Sequence, residues 1–377
     1  MRVLIAAGGT AGHINPALAI ASVIEQKCPG AEIHFAGRKK GMEYGLVTKA
    51  GYPFHNIEVN GIQRRLTVRN IARNAVALYH LALSAPRAAA ILREVQPDLV
   101  IGAGGYVSGP VVETAARRGI LTAIHEQNAY PGVTNKLLAK RADVVFVAMP
   151  DAVERLGEEA RGKTVVVGNP VREEMWHADR AAARRAVGAK DGQVVIVSFG
   201  GSLGAQRLNE AVAALAQWEL RERSFLHIHA TGSIEKKDFA AMAARMGIDG
   251  DERFVIREYI DDMPTLLAAA DLVISRAGAL TLAEIAAVGR ASVLIPSPNV
   301  AENHQYYNAL QLEKLGAARV VQEKELTPEG FIQLVDDLTK DPAQLMEMGA
   351  RARALAQPDS LEKIWNALER VLQSGRP

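Results

Sequence analysis

Short apolar runs rich in β-branched residues alternate with helical patterns along most of the chain, and this alternation restricts the fold more than any other feature. The runs occupy residues 2–7, 33–36, 99–102, 121–124, 144–147, 165–167, 194–199, 226–230, 254–257, 272–275 and 292–295. Parallel strands need crossover connections, which are usually helices. The alternation therefore predicts a doubly wound α/β fold, with mostly parallel sheets covered by helices on both faces.

The second half of the chain repeats the organisation of the first. The run at 194–199 leads into glycine-rich residues 200–205 and then into an amphipathic helix, in the same order as the opening strand, glycine turn and helix. A length of 377 residues also exceeds the about 100–200 residues of a typical domain. We therefore expect two similar domains, with the linker near residues 167–172.

The segment GGTAGHINP, residues 8–16, follows the first strand. Asn15 is the predicted N-cap and Pro16 the first helical residue, which puts His13 in the turn just before the helix. Glycines let an anion approach the unpaired amides of a helix N-terminus, so this turn is predicted to be an anion cradle. An unperturbed imidazole has a pKa near neutral pH, so His13 is a candidate general base; the alternative is a histidine that only hydrogen-bonds a neighbouring loop.

Further loops follow other strands, namely GAGGYVSGP at 102–110, HEQN at 125–128 and a polar segment at 296–305. Open α/β sheets bind ligands at the carboxyl ends of their strands, so these loops are candidate ligand contacts. Thr281 and Glu284 follow the strand at 272–275 with the spacing of a capping box, which is the interpretation that local spacing favours. The alternative places Thr281 on a phosphate and Glu284 on a ribose diol.

Residues 157–164 match the phosphate-binding pattern GxxxxGK[ST], but in the wrong context. A P-loop follows a strand and opens a helix, whereas here a helical pattern precedes the motif and the strand at 165–167 follows it. Glu158 and Glu159 would also repel a phosphate. We predict a surface turn and no ATP binding.

Charge and cysteine content exclude several classes of protein. Lys and Arg number 44 against 42 Asp and Glu, and the formal charge of +2 gives no global attraction to nucleic acid. The single cysteine, Cys28, excludes an intrachain disulfide and a cysteine-based zinc site. The apolar run before Gly8 is too short for a signal peptide, and no run reaches the ~18 apolar residues of a spanning helix. A soluble or peripheral protein is expected.

One stretch, residues 64–83, combines basic and apolar character. Arg64, Arg65, Arg69 and Arg73 lead into an apolar helical pattern that ends at Leu83. Such a combination suits contact with an anionic membrane surface. An ordinary core helix with a solvated basic flank has the same pattern.

Taken together, the motifs closely resemble the MurG family, the bacterial peptidoglycan N-acetylglucosaminyltransferases. The resemblance rests on GGTAGHINP, GAGGYVSGP, HEQN, GNPVR, GGSLGAQRLNE, YIDDMP and RAGALTLAEI with the downstream NHQ. It implies a GT-B architecture, in which two Rossmann-like doubly wound domains face each other across a cleft. Residues 1–167 would form the acceptor- and membrane-binding domain, 168–350 the UDP-GlcNAc-binding domain, and 351–377 a helix returning to the first domain.

The resemblance also implies the reaction and the partners. GlcNAc would pass from UDP-GlcNAc to the 4-hydroxyl of MurNAc-pentapeptide on undecaprenyl diphosphate, with inversion, converting lipid I to lipid II. The partners would be UDP-GlcNAc, this lipid acceptor and, through the Arg64 to Leu83 region, an anionic membrane surface at the cytoplasmic face of the plasma (inner) membrane. No cofactor is implied, no nucleic acid is expected as a partner, and no DxD-type dyad flanks the donor site, so no metal is expected.

Site residues carry over onto matching positions. His13 would be the general base, Ser202 and Thr281 would contact the diphosphate, and Glu284 would contact the ribose. The other substrate-binding residues implied are Thr10, Ala11, Gly12, Asn128, Arg172, Ile260 through its backbone, Ala279, Leu280 and Gln305. His304 is an alternative to Gln305 at the sugar, and Glu126 is an alternative to His13 as proton acceptor.

Three points qualify the resemblance. Ala11 stands where the commoner GGTGGH form has glycine, which suggests a position without positive φ. A related glycosyltransferase with another lipid acceptor, such as diacylglycerol, is a second enzyme interpretation. A nucleotide-sugar-binding protein without transferase activity is an interpretation from a different class.

Overall fold

The computed structural model describes residues 1–59, 80 and 83–374. It divides into two compact units, one formed by Met1–Pro170 with Asp359–Pro377 and the other by Val171–Pro358. The chain therefore passes from the N-terminal unit to the C-terminal unit after residue 170 and returns after residue 358. Residues 351–358, which the sequence interpretation grouped with the final helix, belong to the C-terminal unit.

The N-terminal unit is built on a parallel sheet of seven strands in the order β3-β2-β1-β4-β5-β6-β7. The strands are β1 (Arg2–Ala6), β2 (Glu32–Gly37), β3 (Phe54–Asn56), β4 (Leu99–Gly102), β5 (Leu121–Glu126), β6 (Val144–Val147) and β7 (Thr164–Val166). Strand β1 lies between β2 and β4, with Ile5 opposite Phe35 and Ile101. The order in which strands are added to the sheet thus reverses at β1, as is typical of Rossmann-like sheets.

Helices cover both faces of this sheet. They are α1 (Ala11–Lys27), α2 (Met42–Lys49), α3 (Ser84–Val95), α4 (Ser108–Arg117), α5 (Val133–Ala139), α6 (Asp151–Arg155) and α7 (Glu158–Arg161). One apolar core lies on each face, which is why the central strands β1, β4 and β6 consist almost entirely of buried apolar residues. The last helix of the described chain, α17 (Ser360–Ser374), packs on α1 and buries Ile364, Ala367 and Leu368.

The C-terminal unit has a six-stranded parallel sheet in the equivalent order β10-β9-β8-β11-β12-β13. Its strands are β8 (Val195–Phe199), β9 (Leu226–Ala230), β10 (Phe254–Arg257), β11 (Leu272–Ser275), β12 (Ala291–Leu294) and β13 (Ala318–Val320). Its helices are α8 (Glu173–Trp176), α9 (Arg180–Ala186), α10 (Gln206–Glu222), α11 (Lys236–Met246), α12 (Met263–Ala269), α13 (Ala279–Val288), α14 (His304–Lys314), α15 (Pro328–Thr339) and α16 (Pro342–Ala354). Both units thus follow the predicted doubly wound α/β class.

The P-loop-like motif has the reversed order that the sequence predicts. Helix α7 lies inside the motif, and strand β7 starts at its last residue, Thr164. The Lys163 ammonium donates to the Lys140 carbonyl at 3.0 Å instead of facing an open loop. The motif therefore has no phosphate-binding geometry.

One finding about the helices bears on membrane association. None of the helices in the described part of the chain is long and apolar enough to cross a bilayer. Of the stretch predicted to contact a membrane, residues 64–83, all except residues 80 and 83 lie outside the described residues.

Candidate active site

Helix α1 begins five residues earlier than the sequence predicts. Thr10 is the N-cap residue with extended backbone angles, Ala11 is the first helical residue, and Pro16 lies inside the helix. The predictions of Asn15 as N-cap and Pro16 as first helical residue are therefore wrong. Pro16 has no N–H to donate to the Gly12 carbonyl, and we attribute its tolerance to the full burial of Ile14 and Ala17 in the same part of the helix.

His13 consequently occupies the first turn of α1 rather than the preceding loop. Its ring lies against Gly104, where a Cβ would come within 2.4 Å of the His13 Nδ1. Gly104 also has a φ of +102°, so both conformation and space require glycine there. The GAGGYVSGP motif thus provides the surface on which the His13 ring rests. Ala11 is helical, which agrees with the expectation that this position does not need positive φ.

The His13 ring also contacts a buried polar pair at the end of β5. His13 Nδ1 lies 3.1 Å from Gln127 Oε1. The Gln127 side-chain nitrogen donates to the Ala103 carbonyl at 2.8 Å and lies 2.9 Å from His125 Nδ1. Burial lowers the pKa of His125 to about 4, so that this imidazole is neutral at physiological pH. Sequence reasoning identified HEQN as a site motif but assigned no role to Gln127.

Glu126 serves the shape of its loop. Its Oε1 accepts from the backbone and side-chain nitrogens of Asn128 at 2.9 and 3.0 Å. Its Oε2 accepts from Gly132 N at 3.0 Å and Asn135 Nδ2 at 2.8 Å. Because a carboxylate has about four acceptor positions and four donors occupy them, the geometry disfavours Glu126 as the proton acceptor.

A second buried carboxylate, Glu43, lies beneath the opening glycine loop and was missed at the sequence level. It accepts from Arg38 N at 3.0 Å and from Gly9 N at 3.4 Å. One amide of the predicted anion cradle therefore faces a carboxylate of the protein itself. Only a lone acidic residue after Gly41 signals this contact in the sequence, and such a residue is common at a helix start.

In the C-terminal unit, the GGSLGA turn between β8 and α10 is held by the loop that follows β9. The Ser202 carbonyl accepts from Ser233 N at 3.1 Å, and the Leu203 carbonyl accepts from Ile234 N at 3.2 Å. Gly204 has a φ of +93°, and a Cβ there would come within 2.3 Å of the Thr231 carbonyl oxygen. Backbone hydrogen bonds thus fix this turn at the carboxyl edge of the sheet.

Thr281 does not cap α13. The N-cap residue is Gly278, and Thr281 is the third residue of the helix, so the favoured capping-box interpretation of Thr281 and Glu284 is wrong. Because Gly278 has no side chain, no N-cap side chain occupies the first amides of this helix. The Thr281 hydroxyl therefore stands in the first turn beside the positive end of the helix dipole, with Ala279 and Leu280. This arrangement agrees with the phosphate alternative.

Glu284 lies one turn further along α13 and pairs with Arg172. The Arg172 guanidinium lies 3.5 Å from Glu284 Oε1, and the Glu284 side chain is only 11% exposed. Burial raises the pKa of Glu284 to about 7, although Arg172 acts in the opposite direction. Arg172 and Glu284, which the family resemblance assigned to the donor site, thus lie together although they are 112 positions apart in the chain.

Arg276 joins loops at the carboxyl edge of the C-terminal sheet, a role that sequence reasoning did not assign to it. Its guanidinium donates to the carbonyls of Ile295 and Pro296 at 3.1 and 3.2 Å and also contacts Glu323. The Asn308 side chain donates to the Ala277 carbonyl at 3.3 Å. These bonds join the loops after β11 and β12, and no local pattern signals such long-range clamps.

The remaining predicted residues lie in the adjoining loops. Gln305 is the second residue of α14, and its Oε1 accepts from Ser297 N at 2.9 Å. His304 Nδ1 donates to the Ala301 carbonyl at 2.8 Å. Ile260 is buried in the loop after β10.

These loops, with those after β8 and β11, form what we call the C-terminal rim. The N-terminal rim consists of the loops after β1, β4 and β5, with Thr10, Gly12, His13 and Asn128.

Comparison with known proteins gives the class. The glycosyltransferase family 28 N-terminal domain matches residues 3–147, and the glycosyltransferase family 28 C-terminal domain matches residues 195–364. Two Rossmann-like units and these two matches define a glycosyltransferase of the GT-B type. Among the described residues, no group of three or more His, Cys, Asp or Glu side chains is arranged to hold a metal ion.

Similar proteins then give the family. A UDP-N-acetylglucosamine–N-acetylmuramyl-(pentapeptide) pyrophosphoryl-undecaprenol N-acetylglucosamine transferase of Acetivibrio thermocellus is 39% identical over 99% of both chains. A relative of the same name from Desulforudis audaxviator is 40% identical over 100% of both. The crystal structure of Acinetobacter baumannii MurG has 30% identity and a TM-score of 0.75, and the match covers 98% of this chain and 99% of that one. The chain belongs to the MurG family of N-acetylglucosaminyltransferases.

Proposed function

We propose that this chain transfers GlcNAc from UDP-GlcNAc to the 4-hydroxyl of MurNAc-pentapeptide on undecaprenyl diphosphate, converting lipid I to lipid II in peptidoglycan synthesis. The observation that carries the proposal is the 39–40% identity over 99–100% of the chain to relatives whose name states both the sugar and the lipid-linked acceptor. The folded arrangement of both rims supports it, since each rim groups polar residues that sugar-nucleotide chemistry requires.

The C-terminal rim is the proposed donor site. Ser202, Thr281 and the first amides of α13, from Ala279 and Leu280, would contact the diphosphate, where the helix dipole favours negative charge. Glu284 would accept hydrogen bonds from the ribose hydroxyls, with Arg172 beside it. The Ile260 backbone would contact the uracil, and Gln305 or His304 would contact the GlcNAc hydroxyls.

The N-terminal rim is the proposed site of the chemical step. His13 would take the proton of the MurNAc 4-hydroxyl while that oxygen bonds to the anomeric carbon. The bond between that carbon and the diphosphate breaks at the same time, so the configuration inverts and UDP leaves with the bonding electrons. Thr10, Ala11, Gly12 and Asn128 would contact the sugar and diphosphate, and amides that neutralise the developing charge would lower the barrier.

Because the proposed acceptor is anchored in a bilayer, we place the enzyme at the cytoplasmic face of the plasma (inner) membrane as a peripheral protein. The proposal rests on the basic and apolar residues 64–83. Flotation with vesicles of zwitterionic and anionic lipid is the test. We expect binding to anionic vesicles, and loss of that binding when Arg64, Arg65, Arg69 and Arg73 are replaced by Gln. Equal binding by the replaced protein would contradict the assignment.

Acceptor choice is tested by supplying purified enzyme in detergent with UDP-GlcNAc carrying a radiolabelled sugar. We expect label in the lipid fraction with lipid I as acceptor and none with diacylglycerol. Label transferred to diacylglycerol instead would favour the other lipid-acceptor interpretation, and no transfer to either would overturn the proposed reaction.

Replacement of His13 by Ala tests the base. We expect kcat to fall by about 10² to 10⁴-fold, the usual contribution of a general base, with little change in the affinity for UDP-GlcNAc. The matched control is His177→Ala, because His177 is a solvent-exposed histidine that directly follows α8 and lies outside both rims. A wild-type rate already equal to that of His13→Ala would favour the non-catalytic, nucleotide-sugar-binding interpretation.

A further inference from the structure

The polar contacts behind His13 form a chain of hydrogen bonds. Two backbone carbonyls, which can only accept, determine which group donates in each bond of the chain. Four links belong to it: His13 to Gln127, Gln127 to Ala103, Gln127 to His125, and His125 to Gly168. Ala103 and Gly168 contribute carbonyl oxygens, which can only accept. All of these residues belong to the N-terminal unit.

The assignment begins at His125, which is fully buried. Its Nε2 lies 3.3 Å from the Gly168 carbonyl oxygen, so Nε2 carries the proton and donates it. His125 is neutral, because burial lowers its pKa to about 4. Its Nδ1 therefore holds a lone pair and accepts a hydrogen bond.

Gln127 is next, and its amide can take only one orientation. It is 2% exposed. Its nitrogen has two hydrogens, and two acceptors lie within 2.9 Å of it, the Ala103 carbonyl oxygen and the His125 Nδ1. The reversed amide would place its oxygen against two acceptors. The Gln127 oxygen must therefore face His13, and it can only accept from the His13 Nδ1 at 3.1 Å.

We infer that Gln127, itself oriented by His125, is a positioning residue that holds His13 in the tautomer with its proton on Nδ1, so that the lone pair of the neutral ring lies on Nε2. The inference deepens the proposed function, because it makes Nε2 the atom that takes the proton of the acceptor hydroxyl. An imidazole in the other tautomer would have its basic nitrogen turned towards the protein, and it would not accept that proton.

The tautomer is tested directly by NMR of the enzyme labelled with ¹⁵N in its histidine rings. His13 is assigned from the signals that disappear in His13→Asn. At neutral pH we expect the His13 Nδ1 to be the proton-bearing nitrogen and Nε2 to be the bare one. The reverse assignment in the wild type would overturn the inference. This measurement needs no variant of Gln127 and no turnover, so it remains decisive even if the enzyme fails to make lipid II.

Kinetics give the second test, with Gln127→Met as a variant of similar volume that lacks the amide. We expect kcat to fall by about 10 to 100-fold, as for other partners that orient an imidazole, with KM for UDP-GlcNAc unchanged. In the His13→Ala background, the same change should cause no further loss, because Gln127 acts through His13. An equal loss in both backgrounds would show a merely structural role and overturn the inference.

A matched control exists on β5, the strand that directly precedes Gln127. Thr122 is fully buried at the other end of β5, where its hydroxyl donates to the Asp143 carboxylate at 2.9 Å. Thr122→Val likewise replaces a buried hydrogen-bonding group by an apolar one at nearly constant side-chain volume. We expect it to leave the His13 tautomer and kcat unchanged, and a shift in the tautomer comparable to that of Gln127→Met would count against a specific role for Gln127.

Discussion

At the scale of single residues, Glu284 combines two properties that rarely coincide at an exposed ligand site. It is buried and therefore tends to hold its proton, yet it lies beside the exposed guanidinium of Arg172. A ribose diol donates hydrogen bonds best to an ionised carboxylate. The protonation state of Glu284 should therefore control how tightly a nucleotide sugar is held.

This gives a pH dependence whose sign is fixed. With a pKa of about 7, Glu284 is mostly neutral at pH 6 and ionised at pH 8. If the ionised form binds, affinity for UDP-GlcNAc should fall about tenfold between pH 8 and pH 6. Calorimetric titration at both pH values measures this. Glu284→Gln should bind more weakly and lose that dependence, which separates it from titration of the nucleotide; an unchanged dependence in the variant would refute the assignment.

Sequence alone predicted the turns that carry the proposed site residues, but not their local geometry. The strand-to-helix turns around His13 and Thr281 were found because β-type runs precede them. The N-cap residues of the two helices are nevertheless Thr10 and Gly278, and not the predicted Asn15 and Thr281. Local capping preferences are weak compared with tertiary packing, which sets each helix start. Contacts such as that between Gln127 and His13 link positions 114 residues apart and leave no local trace.

At the scale of elements, prediction succeeded where a strand carries at least three apolar residues. The strands expected at 99–102, 144–147, 226–230, 254–257 and 272–275 have those bounds as β4, β6, β9, β10 and β11. The missed strands β3 and β13 have three residues each and lie at sheet edges, with polar or charged members such as His55 and Arg319. The edge strands β7 and β10 are detected because each lies in an apolar run, whereas β3 and β13 have too few apolar residues for the pattern to reveal them.

Strands β8 and β9 and helix α10 bury a polar chain in the C-terminal core. Glu219 Oε2 lies 2.8 Å from His227 Nδ1, and the Ser198 hydroxyl lies 2.7 Å from His227 Nε2 and 2.8 Å from His229 Nδ1. The order Glu, His, Ser is that of a hydrolase triad. All members are at most 4% exposed, so no substrate reaches them, and their role is structural.

This core predicts sensitivity to acid. Burial lowers the pKa of His229 to about 3, below its ordinary value of 6.5. The unfolded state therefore binds more protons, and the free energy of unfolding falls as pH drops below about 6.5. His229 should account for a loss of about 2 kcal/mol between pH 8 and pH 5. Urea unfolding of a Trp176→Phe/Trp365→Phe background, in which Trp218 is the remaining tryptophan, measures the loss by fluorescence, and His229→Gln should flatten it; an equally steep loss in that variant would contradict the prediction.

Helix α17 allows a stability test of the N-terminal unit. Leu368 is fully buried, so Leu368→Ala should lower the free energy of unfolding of that unit by about 2–5 kcal/mol. Trp365 is the only tryptophan within the N-terminal unit, so a Trp176→Phe/Trp218→Phe background reports that unit alone. Asn366→Ala, on the exposed side of the same helix, should change stability by less than about 0.5 kcal/mol. Equal effects of the two changes would refute the packing assignment.

At the scale of the whole molecule, the two units differ in how the chain builds them. The C-terminal unit is one continuous segment with its own two-sided core. We expect residues 171–358, produced alone, to fold and to bind UDP-GlcNAc, since they contain every residue proposed for the C-terminal rim. Circular dichroism and calorimetry measure both properties. The same fragment with Glu284→Gln should bind about 10 to 100-fold more weakly, and a folded fragment without binding would place essential donor contacts elsewhere.

The N-terminal unit, in contrast, is completed by α17, which follows the entire C-terminal unit in the chain. During translation, the apolar face of α1 that α17 covers stays exposed until residues 171–358 have left the ribosome. The half that we propose to meet the lipid is thus the last to mature, so a nascent chain stalled in the C-terminal unit presents an unfinished hydrophobic surface to chaperones.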